Sequence, residues 1–217
     1  MSNVKNVVLC GVGGQGTILA SKILSYALIE AGYDVKMSEI HGMSQRGGSV
    51  TTQVRYGDKV YSAIIGKGSA DVLVAFEKME ALRYLDDVKA DGGVVIINDH
   101  AIQSLPTLQG MAAYPEDGND RGKEKAGDVR VIKATKIAGE LGNEKAANVV
   151  LLGAAVKALG LEAMDWDAAL AACVKPAFLD MNRAAFKAGL EAVGKSRKHR
   201  QSAPQTAARP GGLRLIR

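Results

Sequence analysis

Two short segments carry most of the residues that could do chemistry. The first, Gly11-Val12-Gly13-Gly14-Gln15-Gly16, satisfies G-x-G-x-x-G. Glycines at this spacing permit a tight turn and let a phosphate approach backbone N–H groups at the positive end of a following helix. The same glycines would equally serve close packing of strand, turn and helix, and both readings stand on the pattern alone. Acidic residues that could meet a ribose hydroxyl exist at Asp34 and Glu39; Glu39 lies 23 residues past Gly16, near the spacing of dinucleotide-binding folds. The second segment is His41-Gly42-Met43-Ser44-Gln45-Arg46-Gly47-Gly48. It offers an imidazole (His41), a hydroxyl (Ser44), an amide (Gln45) and a guanidinium (Arg46). Gly42, Gly47 and Gly48 allow unusual backbone angles around them. Arg46 could fork onto a carboxylate or a phosphate. The plain alternative is a solvated turn.

Lesser candidates are Lys67, within Gly66-Lys67-Gly68-Ser69, and Asn98 and His100 at the end of an apolar run. No His/Cys cluster has zinc-site spacing, and no nucleophile–base pair is legible. Cys10 and Cys173 are the only cysteines. They suggest buried thiols in a reducing, cytoplasmic compartment, and two thiolates fall short of the four that an iron–sulfur cluster usually needs.

These residues need elements to hold them. VKNVVLC (4–10) reads as a strand buried on both faces, and TILASKILSYALIEAG (17–32) as a helix with an apolar stripe of Ile18, Leu19, Ile23, Tyr26 and Ala27. DVKMSEI (34–40) is a second strand, so in an open parallel sheet the 41–48 loop should project beside the first glycine turn, at the carboxyl edge. SVTTQVRYG (49–57) and KVYSAII (59–65), joined by a short turn, suggest an antiparallel hairpin. Strands follow at 71–76, 92–99 and 128–134. Helices are expected at 77–88, 143–160, 166–174 and 176–194, and the 100–127 connection is expected to hold little regular structure. The fold class is α/β: a Rossmann-like, mostly parallel sheet with an inserted antiparallel hairpin and C-terminal helices.

Composition agrees with this. Of 217 residues, 47% are hydrophobic and 24% charged, which excludes disordered, collagen-like and coiled-coil classes. No apolar run is long enough for a membrane span, and no secretory leader is visible. The net charge of +5 is local: residues 195–217 hold seven basic side chains and no acidic one, leaving 21 basic against 23 acidic in the rest. That basic tail is expected to be disordered. Without interleaved aromatics or a recognised fold it is a poor signal for specific nucleic-acid binding.

Together, VVLCGVGGQGTILASKIL, SEIHGMSQRGGSVTTQVRYG and DVLVAFEKMEALRYL resemble the small (beta) subunit of indolepyruvate ferredoxin oxidoreductases. More broadly they are similar to the gamma subunits of 2-oxoacid:ferredoxin oxidoreductases. The resemblance covers about residues 4–192. It implies a gamma-type domain over 1–194, of the kind found in pyruvate/ketoisovalerate oxidoreductases, followed by the tail. It also implies a complex that oxidatively decarboxylates a 2-oxoacid with coenzyme A as co-substrate and passes electrons to ferredoxin. Thiamine diphosphate and 4Fe-4S clusters would reside in a large partner subunit, and no cofactor would bind this chain alone. The residues expected to line substrate, cofactor or partner are Gly11, Gly13, Gly14, Gln15, Gly16, His41, Ser44, Gln45, Arg46, Gly47 and Gly48. An exposed apolar patch would point the same way. A stand-alone NAD- or FAD-binding Rossmann protein is the alternative.

Overall fold

The computed structural model describes residues 4–42, 47–115 and 126–193. Six strands form one sheet in the order β2-β3-β1-β4-β5-β6. They are β1 (Lys5–Val12), β2 (Asp34–His41), β3 (Ser49–Gly57), β4 (Val72–Ala75), β5 (Val94–Asn98) and β6 (Asp128–Ile132). β1, β4, β5 and β6 pair in parallel, whereas β3 lies antiparallel to both β1 and β2. The helices are α1 (Thr17–Glu30), α2 (Lys78–Tyr84), α3 (Leu105–Leu108), α4 (Ala134–Glu140), α5 (Ala147–Leu159), α6 (Trp166–Cys173) and α7 (Leu179–Ala192).

The antiparallel hairpin is present, but its strands are β2 and β3. Segment 59–65 is not a strand. A strand has two edges, and both edges of β3 are filled by β1 and β2. The segment instead crosses the sheet, and side chains satisfy its backbone. Arg55 Nη1 donates to the carbonyls of Ser62 (3.0 Å) and Ile64 (3.1 Å), Gln53 Oε1 accepts from Ile65 N–H (2.8 Å), and Asp34 Oδ2 accepts from Val60 N–H (2.9 Å).

Each sheet face has its own core. One packs Val7, Leu9, Val54 and Val74 under α1, α5 and α7; the other packs Val8, Leu73, Val95 and Ile97 under α2 and the 58–71 crossing. The α1 stripe differs from expectation. Ile23 and Ala27 are buried with Ala20, Leu24 and Leu28, while Ile18 and Tyr26 face outward. Segment 100–127 is mostly irregular where described, with α3 as its one short helix.

Candidate functional site

The glycine turn begins later than its sequence suggests. β1 runs on through Gly11 and Val12, because these two residues pair with Val50 and Ser49 of β3. The turn is then closed by Gln15, whose side chain points inward: Oε1 accepts from Val12 N–H (2.7 Å) and Nε2 donates to the Phe76 carbonyl (3.1 Å). This ties the ends of β1 and β4 together where the chain changes direction across the sheet. Gly14 and Gly16 take positive φ angles of 102° and 84°, and Gly16 forms the N-cap of α1. No acidic side chain stands in the first turn of α1, so its uncapped amides carry an uncompensated positive end.

The second loop is stitched to the first. Gly13 N–H donates to the Gly48 carbonyl at 2.8 Å, and Gly47 N–H donates to the Gly13 carbonyl at 3.3 Å. Both segments therefore share one rim at the carboxyl end of β1 and β2. Between them opens a cleft of about 300 Å³ lined by Gly14, Gly16, Thr17, Ile18, His41 and Val50. His41 is exposed, and its Nδ1 donates to the Gly42 carbonyl (3.2 Å), so Nε2 is the ring nitrogen left to meet a ligand. On the other side of the turn lies a second cleft of about 390 Å³, with His100, Ile102, Thr135, Lys145 and Asn148 in its wall. The turn is thus a ridge between two clefts, each bordered by cationic, imidazole or amide donors suited to a carboxylate or a phosphate.

A buried carboxylate organises the far side of the rim. Glu77 is 1% exposed and caps α2. It accepts from the amides of Glu80 (2.9 Å) and Ile102 (3.0 Å) and from the hydroxyl of Tyr114. Burial first, and the Glu77 carboxylate second, raise the Tyr114 pKa, so that phenol stays a donor. Lys78 grips the same segment from outside, through Asp99 (2.5 Å), and holds the Asp99 carboxyl below its ordinary range. Residues 99–114 form a strap latched across the ends of β4 and β5. Glu80 reaches the opposite way: it accepts from Ser49 Oγ (2.5 Å), directly after the 41–48 loop, and pairs with Arg83 (3.1 Å).

Gly13, Gly14, Gly16, His41, Gly47 and Gly48 come together at the rim. Gly11 and Gln15 serve beneath it, holding the turn. Ser44, Gln45 and Arg46 lie outside the described residues. His100 reaches the same edge, while Asn98 is used internally, donating to the Phe76 carbonyl and to Thr135. Lys67 does not belong to the rim. It pairs with Asp87 (2.6 Å) beside Ala70, at the amino end of β4. Asp34 is likewise at the wrong end of β2, paired with Lys36. Sequence reasoning missed Glu77, Lys145 and Asn148; only the Glu-x-x-Glu at the start of α2 hinted at the first. Among the described residues no group of three or more His, Cys, Asp or Glu is placed to hold a metal ion. Cys10 is fully buried, and burial raises its pKa; with Cys173 the only other thiol, the donor set does not fit an iron–sulfur cluster. No described helix is long and apolar enough to cross a membrane.

A six-stranded sheet of this order, with a glycine ridge between two clefts at its carboxyl rim, defines a Rossmann-like α/β domain whose candidate site lies along one edge. Residues 6–192 match the pyruvate ferredoxin/flavodoxin oxidoreductase family, and the chain belongs to it. The indolepyruvate oxidoreductase subunit IorB of Pyrococcus horikoshii is 41% identical over 193 residues, covering 87% of this chain and 95% of that one. The gamma subunit of a keto/oxoacid ferredoxin oxidoreductase from Geobacter sulfurreducens superposes with a TM-score of 0.64 at 26% identity, covering 87% and 97% of the two chains. The fold also recurs in a 2-oxoglutarate:ferredoxin oxidoreductase of Magnetococcus marinus solved with 2-oxoglutarate, coenzyme A and succinyl-CoA bound. There the TM-score is 0.69 at 20% identity, and the match spans 88% of this chain but 31% of the longer one.

Proposed function

We propose that this chain is the accessory subunit of a cytoplasmic indolepyruvate:ferredoxin oxidoreductase, where it supplies one wall of a catalytic chamber owned by a larger subunit. The observation that supports this most directly is the backbone stitching of Gly13 to Gly47 and Gly48, which makes one rim of two segments. Thiamine diphosphate and 4Fe-4S clusters belong to the larger subunit and supply the electron sink for decarboxylation and the path to ferredoxin. This chain's part is binding and orientation. The amides at the start of α1 and the His41 imidazole face the smaller cleft, and Lys145 borders the larger. Anionic groups of the oxoacid or of coenzyme A dock against them, and the guanidinium of Arg46 and the amide of Gln45 are further hydrogen-bond donors for the same groups. Uniform binding of this kind lowers KM, whereas orientation of the reacting carbonyl raises kcat.

The test is Arg46→Ala and His41→Ala, each assembled with the larger subunit. The expected result is intact assembly with a changed KM for the oxoacid or for coenzyme A. Unchanged turnover and unchanged KM for both substrates in both variants would remove the rim from the chamber.

A further inference from the structure

The β2 edge is unusual for a surface. Its outer side has no neighbour in the sheet, and its eight residues pair with β3 in continuous register without a bulge or proline. Edge strands are normally blunted by bulges, proline or charged side chains, because unpaired N–H and C=O groups recruit other chains; here only the charges of Asp34, Lys36 and Glu39 do so. Exposed apolar side chains also gather here on both faces. Ile18, Tyr26 and Ile29 project from α1 at helical spacing, with Met37 of β2 beside them, and Ser25 bridges the two elements through its hydroxyl contact to Met37 (3.9 Å). On the opposite face Ile40 and Ile64 are 53% and 59% exposed. The charges at the start of β2 are already neutralised within the chain: Asp34 pairs with Lys36 (2.5 Å) and Lys59 (3.8 Å). Lys22, exposed between Ile18 and Tyr26 on α1, and Glu39 of β2 are the charges that a covering polypeptide would meet with groups of opposite sign.

We propose that the outer face of α1 together with the β2 edge is the docking surface for the larger subunit. The inference rests on the subunit reading above and adds which face is covered. Continuity selects the occupant. Ile18 and His41 line the smaller cleft and also end the apolar face, so the polypeptide that covers the face arrives at the mouth of the chamber. A second copy of this chain seated there would shut that cleft away from the subunit that carries the reaction.

The experiment uses the full chain and the tagged larger indolepyruvate oxidoreductase subunit of the same organism. Ile29→Lys and Ile40→Lys should each weaken capture by about tenfold or more, as expected when charge enters the centre of an interface. Phe178→Lys, at an exposed apolar residue elsewhere, should bind as the unaltered chain does. Thermal unfolding of the isolated variants checks that they fold. A benzoylphenylalanine cross-linker at position 29 gives a readout independent of variant stability; it should form an adduct with the larger subunit, and one at 178 should not. Capture unaffected by Ile29→Lys and Ile40→Lys, or cross-linking only from 178, overturns the assigned face. An isolated chain that is dimeric in light scattering and becomes monomeric with Ile29→Lys overturns it in favour of a second copy. Failure of the unaltered chain to bind the larger subunit overturns the subunit reading itself.

Discussion

Three glycines of the rim turn separate backbone strain from steric crowding. A Cβ at Gly14 would meet nothing within 4 Å, but the residue sits at φ +102°. Gly14→Ala therefore carries only the conformational penalty of a left-handed L-residue, about 1–2 kcal/mol. Gly11 has no positive φ, yet its Cβ would lie 2.8 Å from Gln15 Oε1 and 2.9 Å from Phe76 Cβ. Gly11→Ala therefore carries only the overpacking penalty, about 1–3 kcal/mol. Gly16 combines both, with φ +84° and a Cβ 2.4 Å from Asn148 Nδ2. Gly16→Ala should cost about 2–5 kcal/mol, the largest of the three. Urea unfolding of the isolated chain measures this as a shift of midpoint at constant m-value. Adding Asn148→Ala to Gly16→Ala should recover the steric share, since the clash is with that side chain and its own bond to the Gly16 carbonyl is long (3.3 Å). If Gly14→Ala destabilises as much as Gly16→Ala, or if Asn148→Ala restores nothing, the assignment of separate causes is refuted.

Gln15→Ala strips partners from the Val12 amide and the Phe76 carbonyl and should cost about 1–3 kcal/mol in the same assay. Gln15→Glu should not rescue it, because a carboxylate would face the Phe76 carbonyl. Tyr114→Phe removes one of the three donors to buried Glu77; it should cost about 1–3 kcal/mol, and limited proteolysis should cut within 103–113 faster than in the unaltered chain. Asp99 gives a signed pH effect. Lys78 lowers its pKa below the ordinary 3.8, so the folded form binds its proton less readily than the unfolded one. The stability it contributes is complete above that ordinary value and is lost as pH falls through the lowered one. Lys78→Met should flatten the decline of Tm between about pH 5 and pH 2 relative to the unaltered chain.

What was legible in the sequence was local. The run into Gly11 and the helix from Thr17 were visible because glycine placement and apolar spacing act over a few residues. Placing loop 41–48 beside the first turn needed only the rule that parallel strands share a carboxyl edge. Strand pairing was not legible in the same way. Segment 59–65 has the composition of a strand, but pairing is a competition for edges, and β3 had none left. The inward turn of Gln15 depends on the Phe76 carbonyl, 61 residues on. Glu77 was hidden for a similar reason: glutamate is not a preferred cap, and its burial is made acceptable by donors at Ile102 and Tyr114. Ile18 and Tyr26 read as core because helical spacing marks an apolar stripe without saying which elements arrive to cover it.

The insertion of β3 also decides between the two uses of the glycine fingerprint. In a dinucleotide-binding sheet the strand carrying the ribose-binding acid lies next to the strand that enters the glycine turn. Here Glu39 is opposite Thr52, and Thr52 is opposite Leu9. Two strand spacings, about 10 Å, therefore separate the acid from β1. The insertion also spends the donor that a pyrophosphate would need, since the Gly13 amide is bonded to the Gly48 carbonyl. A glycine turn whose second glycine is tied to a neighbouring loop, and whose acid stands two strands away, works as a loop anchor. Calorimetric titration of the isolated chain with NAD should accordingly show no micromolar binding, and binding at that strength would mean that the Gly13–Gly48 bond yields to the ligand.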